Sequence, residues 1–103
     1  MAKFKVNVDH SLDKQEAIRR LRSFSTKVRE DLPIELTEIQ EAWDPAGNLD
    51  FSFKAQGLKI SGKMQTSETD VVVDGEIPFA ALVFRGAIEN QISEKVREAL
   101  ADD

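Results

Sequence analysis

A chain of 103 residues, 41% apolar and 32% charged, makes a single domain over 1–103 that buries roughly 60–70% of its unfolded surface. Its net charge of −5 argues against general nucleic-acid binding, which calls for a basic face with interleaved aromatics. The absence of cysteine excludes disulfides, thiolate metal ligands and cysteine nucleophiles, and fits a reducing compartment.

The opening Met1-Ala2-Lys3-Phe4-Lys5 has no long apolar core, so it is not expected to be a signal peptide. Phe4, Val6 and Val8 alternate with Lys3, Lys5 and Asn7, the period of a half-buried strand. Ser11 is placed to cap a helix, with Asp13 and Glu16 complementing the dipole in its first turn. Within Leu12–Glu30, Ala17, Ile18, Leu21, Phe24 and Val28 share one face that most of the basic residues avoid. Pro33 ends this amphipathic helix, or it ends shortly before.

Ile34–Trp43 is less regular. Thr37, Ile39 and Trp43 share a parity, yet Glu41 falls between the two large apolar residues. A bulge, an edge position or a functional acid would each account for that. Asp44-Pro45-Ala46-Gly47-Asn48 is a turn.

The next strands can be registered from sequence. Leu49, Phe51, Phe53 and Ala55 alternate, Gln56-Gly57 makes a two-residue turn, and Leu58, Ile60, Gly62 and Met64 alternate back. This register pairs Phe53 with Ile60 and Phe51 with Gly62; beyond a loop at Ser67–Asp70 it pairs Met64 with Val73 and Gly62 with Gly75. On the other face Lys63 falls between Asp50 and Asp74, and a slip of one residue would destroy the set. Lys54 facing Lys59 is a small cost. The adjacent glycines leave a hollow ringed by Trp43, Phe51, Gly62 and Gly75. Side-chain packing is its expected occupant, through Phe51 or the C-terminal helix; a ligand is the alternative.

The final stretch, Ile77 to Leu100, reads as one long helix entered at Pro78. Phe84, Ile88, Ile92, Val96 and Leu100 form a slowly drifting stripe suited to a twisted sheet. Phe79, Val83 and Ala87 form a second stripe, with Leu82 apart from both, so the first half of the helix is apolar nearly all round. Such a segment is either buried on every side or a contact surface. The expected cover is the first helix, through Leu21, Phe24 and Val28. The order β-α-β-β-β-β-α predicts an α+β domain of two layers, with an antiparallel sheet and both amphipathic helices on one face. No apolar run approaches the ~20 residues of a membrane span, so a cytoplasmic protein is expected.

Chemistry is sparse. His10 is the only histidine, and three consecutive residues such as Asp9-His10-Ser11 cannot assemble a catalytic triad, so a strand end and helix cap is the expected role. The acids Glu30, Asp31, Glu35, Glu38, Glu41 and Asp44 lack calcium-loop spacing and a histidine, and suit a solvated edge. Glu41 keeps some interest, since pointing inward beside Trp43 it would be a buried carboxylate of raised pKa. No phosphate loop, nucleophile elbow or dinucleotide fingerprint is present. Neither catalytic residues, a metal site nor a cofactor is expected, and enzyme is the minority reading.

Asp9-His10-Ser11-Leu12, Glu16-Ala17, Trp43 before a glycine-containing turn, Phe51-Ser52-Phe53, Gly57, Gly62 and Ile77-Pro78-Phe79 leading to Phe84 and Ile88 stand in a definite order. Together they resemble the polyhydroxyalkanoic acid system proteins, also called granule-region proteins, over nearly the whole chain. The resemblance implies a bacterial accessory role in polyhydroxyalkanoate storage, named from gene neighbourhood. The family has no established catalytic residues to carry over. The element order is also similar to a trimmed helix-grip fold, an analogy of fold only. Expected partners are the polyester granule, an acyl ligand, a granule protein or a second copy, with Phe79, Leu82, Val83 and Ala87 as contact residues. A soluble carrier with a sheet–helix cavity, and a small enzyme using Glu41 or His10, are the alternatives.

Overall fold

The computed structural model describes residues 2–31 and 36–101, with side chains described for all of these except 24–31. The elements run β1 (Ala2–Asp9), α1 (Lys14–Asp31), β2 (Leu36–Trp43), β3 (Leu49–Ala55), β4 (Leu58–Thr66), β5 (Asp70–Ile77), a 3-10 helix (Phe79–Phe84) and α2 (Arg85–Leu100). The strands form one antiparallel sheet in the order β1-β5-β4-β3-β2. The fold is α+β, as the period-two and period-3.6 segments predict. Where the first helix stops relative to Pro33 concerns residues outside those described; α1 itself runs to Asp31.

The predicted registers of β3, β4 and β5 match the observed pairing residue for residue. They continue into β1, where Phe4 faces Gly75 and Lys5 faces Asp74. One row of the outer face thus reads Asp50, Lys63, Asp74, Lys5, alternating in sign across four strands. Gln56 and Gly57 both adopt positive φ, 53° and 82°, the twist a two-residue hairpin requires. The Lys54–Lys59 apposition is relieved from β2. A register shift between Thr37 and Gln40 accompanies Glu38 at φ 52°, and its carboxylate meets Lys54 Nζ at 2.8 Å. That contact, helped by Lys59, holds the Glu38 carboxyl below its ordinary pKa.

Ser11 does not cap α1, because the helix begins three residues later. Asp13 is the cap: the Glu16 N–H donates to Asp13 Oδ1 at 2.9 Å. Glu16 then takes Arg19 and Arg20, at 2.5 and 2.8 Å, and these hydrogen bonds pull its pKa from 4.5 down to about 2. Arg20 reaches further, donating to the Ala101 carbonyl at 2.7 Å and so tying α1 to the C-terminal end of α2. A folded-state pKa below the ordinary value means that Glu16 stabilises above about pH 4.5 and that this share is lost as pH falls toward about 2. Glu16→Gln should therefore flatten the acid limb of a pH–stability curve over that window, modestly and less at high salt, since the pair is solvent-facing. An unchanged acid limb would contradict it.

The core joins Phe4, Val6, Val8, Ile60, Met64, Val71, Val73 and Ile77 of the sheet to Ala17 and Leu21 of α1 and Val96, Ala99 and Leu100 of α2. Val71 and Ile77 are completely enclosed, each stabilising by roughly 1.5–3 kcal/mol. The long C-terminal helix is corrected in two ways. It is a 3-10 helix followed by an α-helix, and the sheet-facing stripe holds for Ile88, Ile92, Val96 and Leu100 but not for Phe84, which is exposed. Phe84 stands at the junction as the N-cap of α2, with φ −97° and ψ 4°, outside the helical line that the later residues keep.

Candidate functional site

Pro78 leaves β5 in extended conformation, with no N–H to satisfy, and its carbonyl accepts the Ala81 N–H at 2.9 Å. The next residues wind as a 3-10 helix, in which positions three apart eclipse. Three columns result: Phe79 with Leu82, Ala80 with Val83, and Ala81 with Phe84. Only Ala81 is buried. Phe79 is 69% exposed, Val83 81%, Phe84 57% and Leu82 43%, and these four are the exposed large apolar residues among those described. Ala87 follows on the same exposed stretch.

The first helix was expected to cover the Phe79, Val83, Ala87 stripe, and among the described residues it does not. The described contacts of α1 with α2 lie at the far end, where Ala17 and Leu21 share the core with Val96, Ala99 and Leu100. Phe24 and Val28, the other residues expected to take part, have side chains outside the described set. Leaving large apolar side chains in water forfeits up to about 1.5–3 kcal/mol each, a large share of a small domain's stability.

The exposed turn is held in place from the next helix. Arg85 Nη1 donates to the Lys3 carbonyl at 3.4 Å, and Glu89 Oε2 accepts the Lys5 N–H at 3.0 Å. Both partners are backbone groups on the free edge of β1, so α2 closes that edge with side chains. Sequence reading assigned Phe84 to the sheet-facing stripe and gave no contact role to Arg85 or Glu89. The spacing of four between Arg85 and Glu89 placed them on one helix face, but only the edge strand beside that face gives the pair a role.

The hollow expected around Trp43, Phe51, Gly62 and Gly75 is filled in part by side chains, and an open cleft of about 810 Å³ lies against the same row, lined by Phe4, Phe51, Gly62 and Gly75 together with charged residues such as Lys63 and Arg85. Phe51 crosses over Gly62, where an added Cβ would lie 2.9 Å from its ring, and the Phe4 ring fills the space over Gly75. Phe51 and Phe53 stack with centroids 6.2 Å apart. Trp43 is half-buried beneath the Arg22 guanidinium, 5.1 Å from the ring centroid. Phe4 was read only as a strand residue, because its place opposite Gly75 depends on β1 joining the far side of β5.

The polar candidates do not converge. His10 Nε2–H donates to the Ser67 carbonyl at 2.9 Å, while Nδ1 accepts the Leu12 N–H at 3.2 Å. Both ring nitrogens thus clasp backbone, joining the end of β1 to the β4–β5 loop. Glu41 has the inward parity, paired with Phe51, but it is exposed on the edge strand β2, past the register shift between Thr37 and Gln40, so of the three accounts the edge and the irregularity are the ones observed. Three strands separate β1 from β2, a distance of roughly 20 Å. Among the described residues no group of His, Asp or Glu is placed to hold a metal ion, and no helix is long and apolar enough to cross a membrane.

The sequence profile of the putative polyhydroxyalkanoic acid system proteins matches residues 4–100, from β1 through the end of α2. The chain belongs to this family. The match takes in at least part of every element of the fold. A crystal structure of TTHA0849 from Thermus thermophilus is similar, with a TM-score of 0.57 and 13% identity, over 96% of this chain and 94% of that one. At that identity the likeness concerns the fold alone. No curated protein matches the chain.

Proposed function

We propose that this polyhydroxyalkanoic acid system protein is a non-enzymatic accessory protein of polyester storage, which works by hydrophobic contact with the granule through Phe79, Leu82, Val83 and Phe84. The observation that carries the reading is the concentration of the four large exposed apolar side chains in one six-residue helix. A contiguous apolar patch of that kind marks an interaction surface. In this reading the sheet and α2 form a small, two-layered, helix-grip-like scaffold that holds the patch at the end of β5, and the protein acts at the granule surface inside the cell. A carrier with an internal acyl ligand finds less support, because Phe4 and Phe51 take up the space beside Gly62 and Gly75. A small enzyme finds less still, with His10 bonded to backbone and Glu41 on the far edge strand.

Co-sedimentation with isolated granules tests the proposal. Phe79→Asp and Val83→Asp should each lower the bound fraction by at least about tenfold, the cost of a charge in an apolar contact. Thermal midpoints should stay within about 2 °C, as expected for exposed positions. Variants that unfold would show the patch to be core; variants that bind granules as the parent does would remove the patch from function.

A further inference from the structure

We infer that the Phe79–Phe84 helix is an insertion segment, and that its partner is an uncharged bulk apolar phase which it enters, not the surface of a folded protein. The inference rests on the reading of this segment as the contact surface and specifies what it contacts. Shape is the first argument. Two of the three eclipsed columns, Phe79 with Leu82 and Ala80 with Val83, face solvent, so the segment is a convex knob. A folded partner would need a matching pocket, whereas a fluid or amorphous phase closes around a knob without one.

Area is the second. Two phenylalanines, a leucine and a valine at these exposures offer on the order of 400 Å². A stable protein interface needs roughly 800 Å² from each partner, so a second copy docked here alone would be held weakly. Insertion into an apolar phase needs no such minimum, because each side chain gains its transfer free energy separately.

The backbone supplies the third. A segment entering an apolar phase must satisfy its own polar groups, which a loop cannot do. This one begins at Pro78, which has no N–H, and closes turns on itself, with Ala81 donating to Pro78 and Arg85 to Leu82; the Phe79 and Ala80 N–H groups head the helix without an acceptor inside it. Charge sets the nature of the phase. The cation beside the knob, Arg85, donates to the Lys3 carbonyl, while Lys3 and Lys5 lie opposite Glu76 and Asp74 in the strand register and Glu89 accepts the Lys5 N–H. The whole chain carries −5, so an anionic surface would repel it.

Because the chain has no cysteine, Val83→Cys offers a single labelling site, and Gln65→Cys, exposed on β4, a control. Each would carry an environment-sensitive fluorophore and be mixed with a surfactant-free triacylglycerol emulsion and with a polyhydroxyalkanoate emulsion. The label at 83 should shift to the blue in both, the label at 65 in neither, and affinity should change less than ~2-fold between ~50 and ~500 mM salt. A salt-induced loss of ~10-fold would point to charged headgroups and overturn the inference. So would an equal shift at both positions, or a shift in protein alone accompanied by sedimentation as a dimer. If Phe79→Asp abolishes granule binding while the label at 83 stays in water, insertion fails and hydrophobic contact stands. If Phe79→Asp binds granules normally, the underlying reading fails.

Discussion

Gly75→Val is expected to destabilise the protein by at least ~3 kcal/mol, enough to unfold a marginal domain of this size. Gly75 lies in the row Phe51, Gly62, Gly75, Phe4, which crosses the inner face from β3 to β1. A Cβ at position 75 would overlap the Phe4 ring and lie 2.7 Å from the backbone oxygen of Ser61. Phe4 is only 3% exposed, so its ring cannot swing into solvent without opening the core, and the Ser61 carbonyl belongs to the strand next to it. Phe4→Leu should rescue part of the loss and leave the backbone clash. Gly86→Ala is the control. Nothing lies within 4 Å of its added Cβ, and within α2 alanine is the better helix former, so stability should hold or rise by ~0.5–1 kcal/mol. Urea titration measures all three. Parent-like stability for Gly75→Val would mean that Phe4 does not pack over Gly75.

Gly47→Ala should cost ~2–5 kcal/mol, the sum of two separable effects. Gly47 has φ 89°, in the region that L-residues avoid, so alanine is strained there whatever the space around it. Its Cβ would also overlap the side chain of Ile18, a buried residue of α1. The turn cannot easily relax. The Asp44 carboxylate accepts the Asn48 N–H at 2.8 Å, and the Gly47 N–H donates to the Asp44 carbonyl at 3.0 Å. The Asn48 bond leads the set of donors that hold the Asp44 carboxyl below its usual pKa. A double-mutant cycle with Ile18→Ala separates the parts: the overlap should vanish in the double variant, giving coupling of ~1 kcal/mol or more, while the strain remains. Zero coupling would place Ile18 away from Gly47.

Both glycines show where sequence reading reached its limit. The pairing of Gly62 with Gly75 follows from alternation along three strands joined by short turns, since one slip would reverse every side chain. That Phe4 sits over Gly75 does not follow, because β1 reaches β5 only after the whole meander is built. Gly47 was legible as a turn residue, but its packing on Ile18 joins a loop to a helix across roughly thirty residues, beyond any periodicity. The helix cap shows the same limit locally. Ser11 and Asp13 are both competent, and where the chain turns out of β1, around the His10 clasp, decides for Asp13.

The apolar stretch from Ile77 to Ile88 divides along that line. Its composition marked it as more hydrophobic than one buried face requires, and Phe79, Leu82, Val83 and Ala87 were legible as the surplus. Local pattern determined this much, along with the strands, the registers within the meander and the paucity of catalytic groups, because each depends on neighbours a few residues away. Tertiary structure decided that the run starts as a 3-10 helix, that Phe84 joins the exposed set, and that α1 meets the opposite end of α2. Those outcomes depend on which surface each element meets, and an apolar side chain has the same pattern in sequence whether it is covered or left in water.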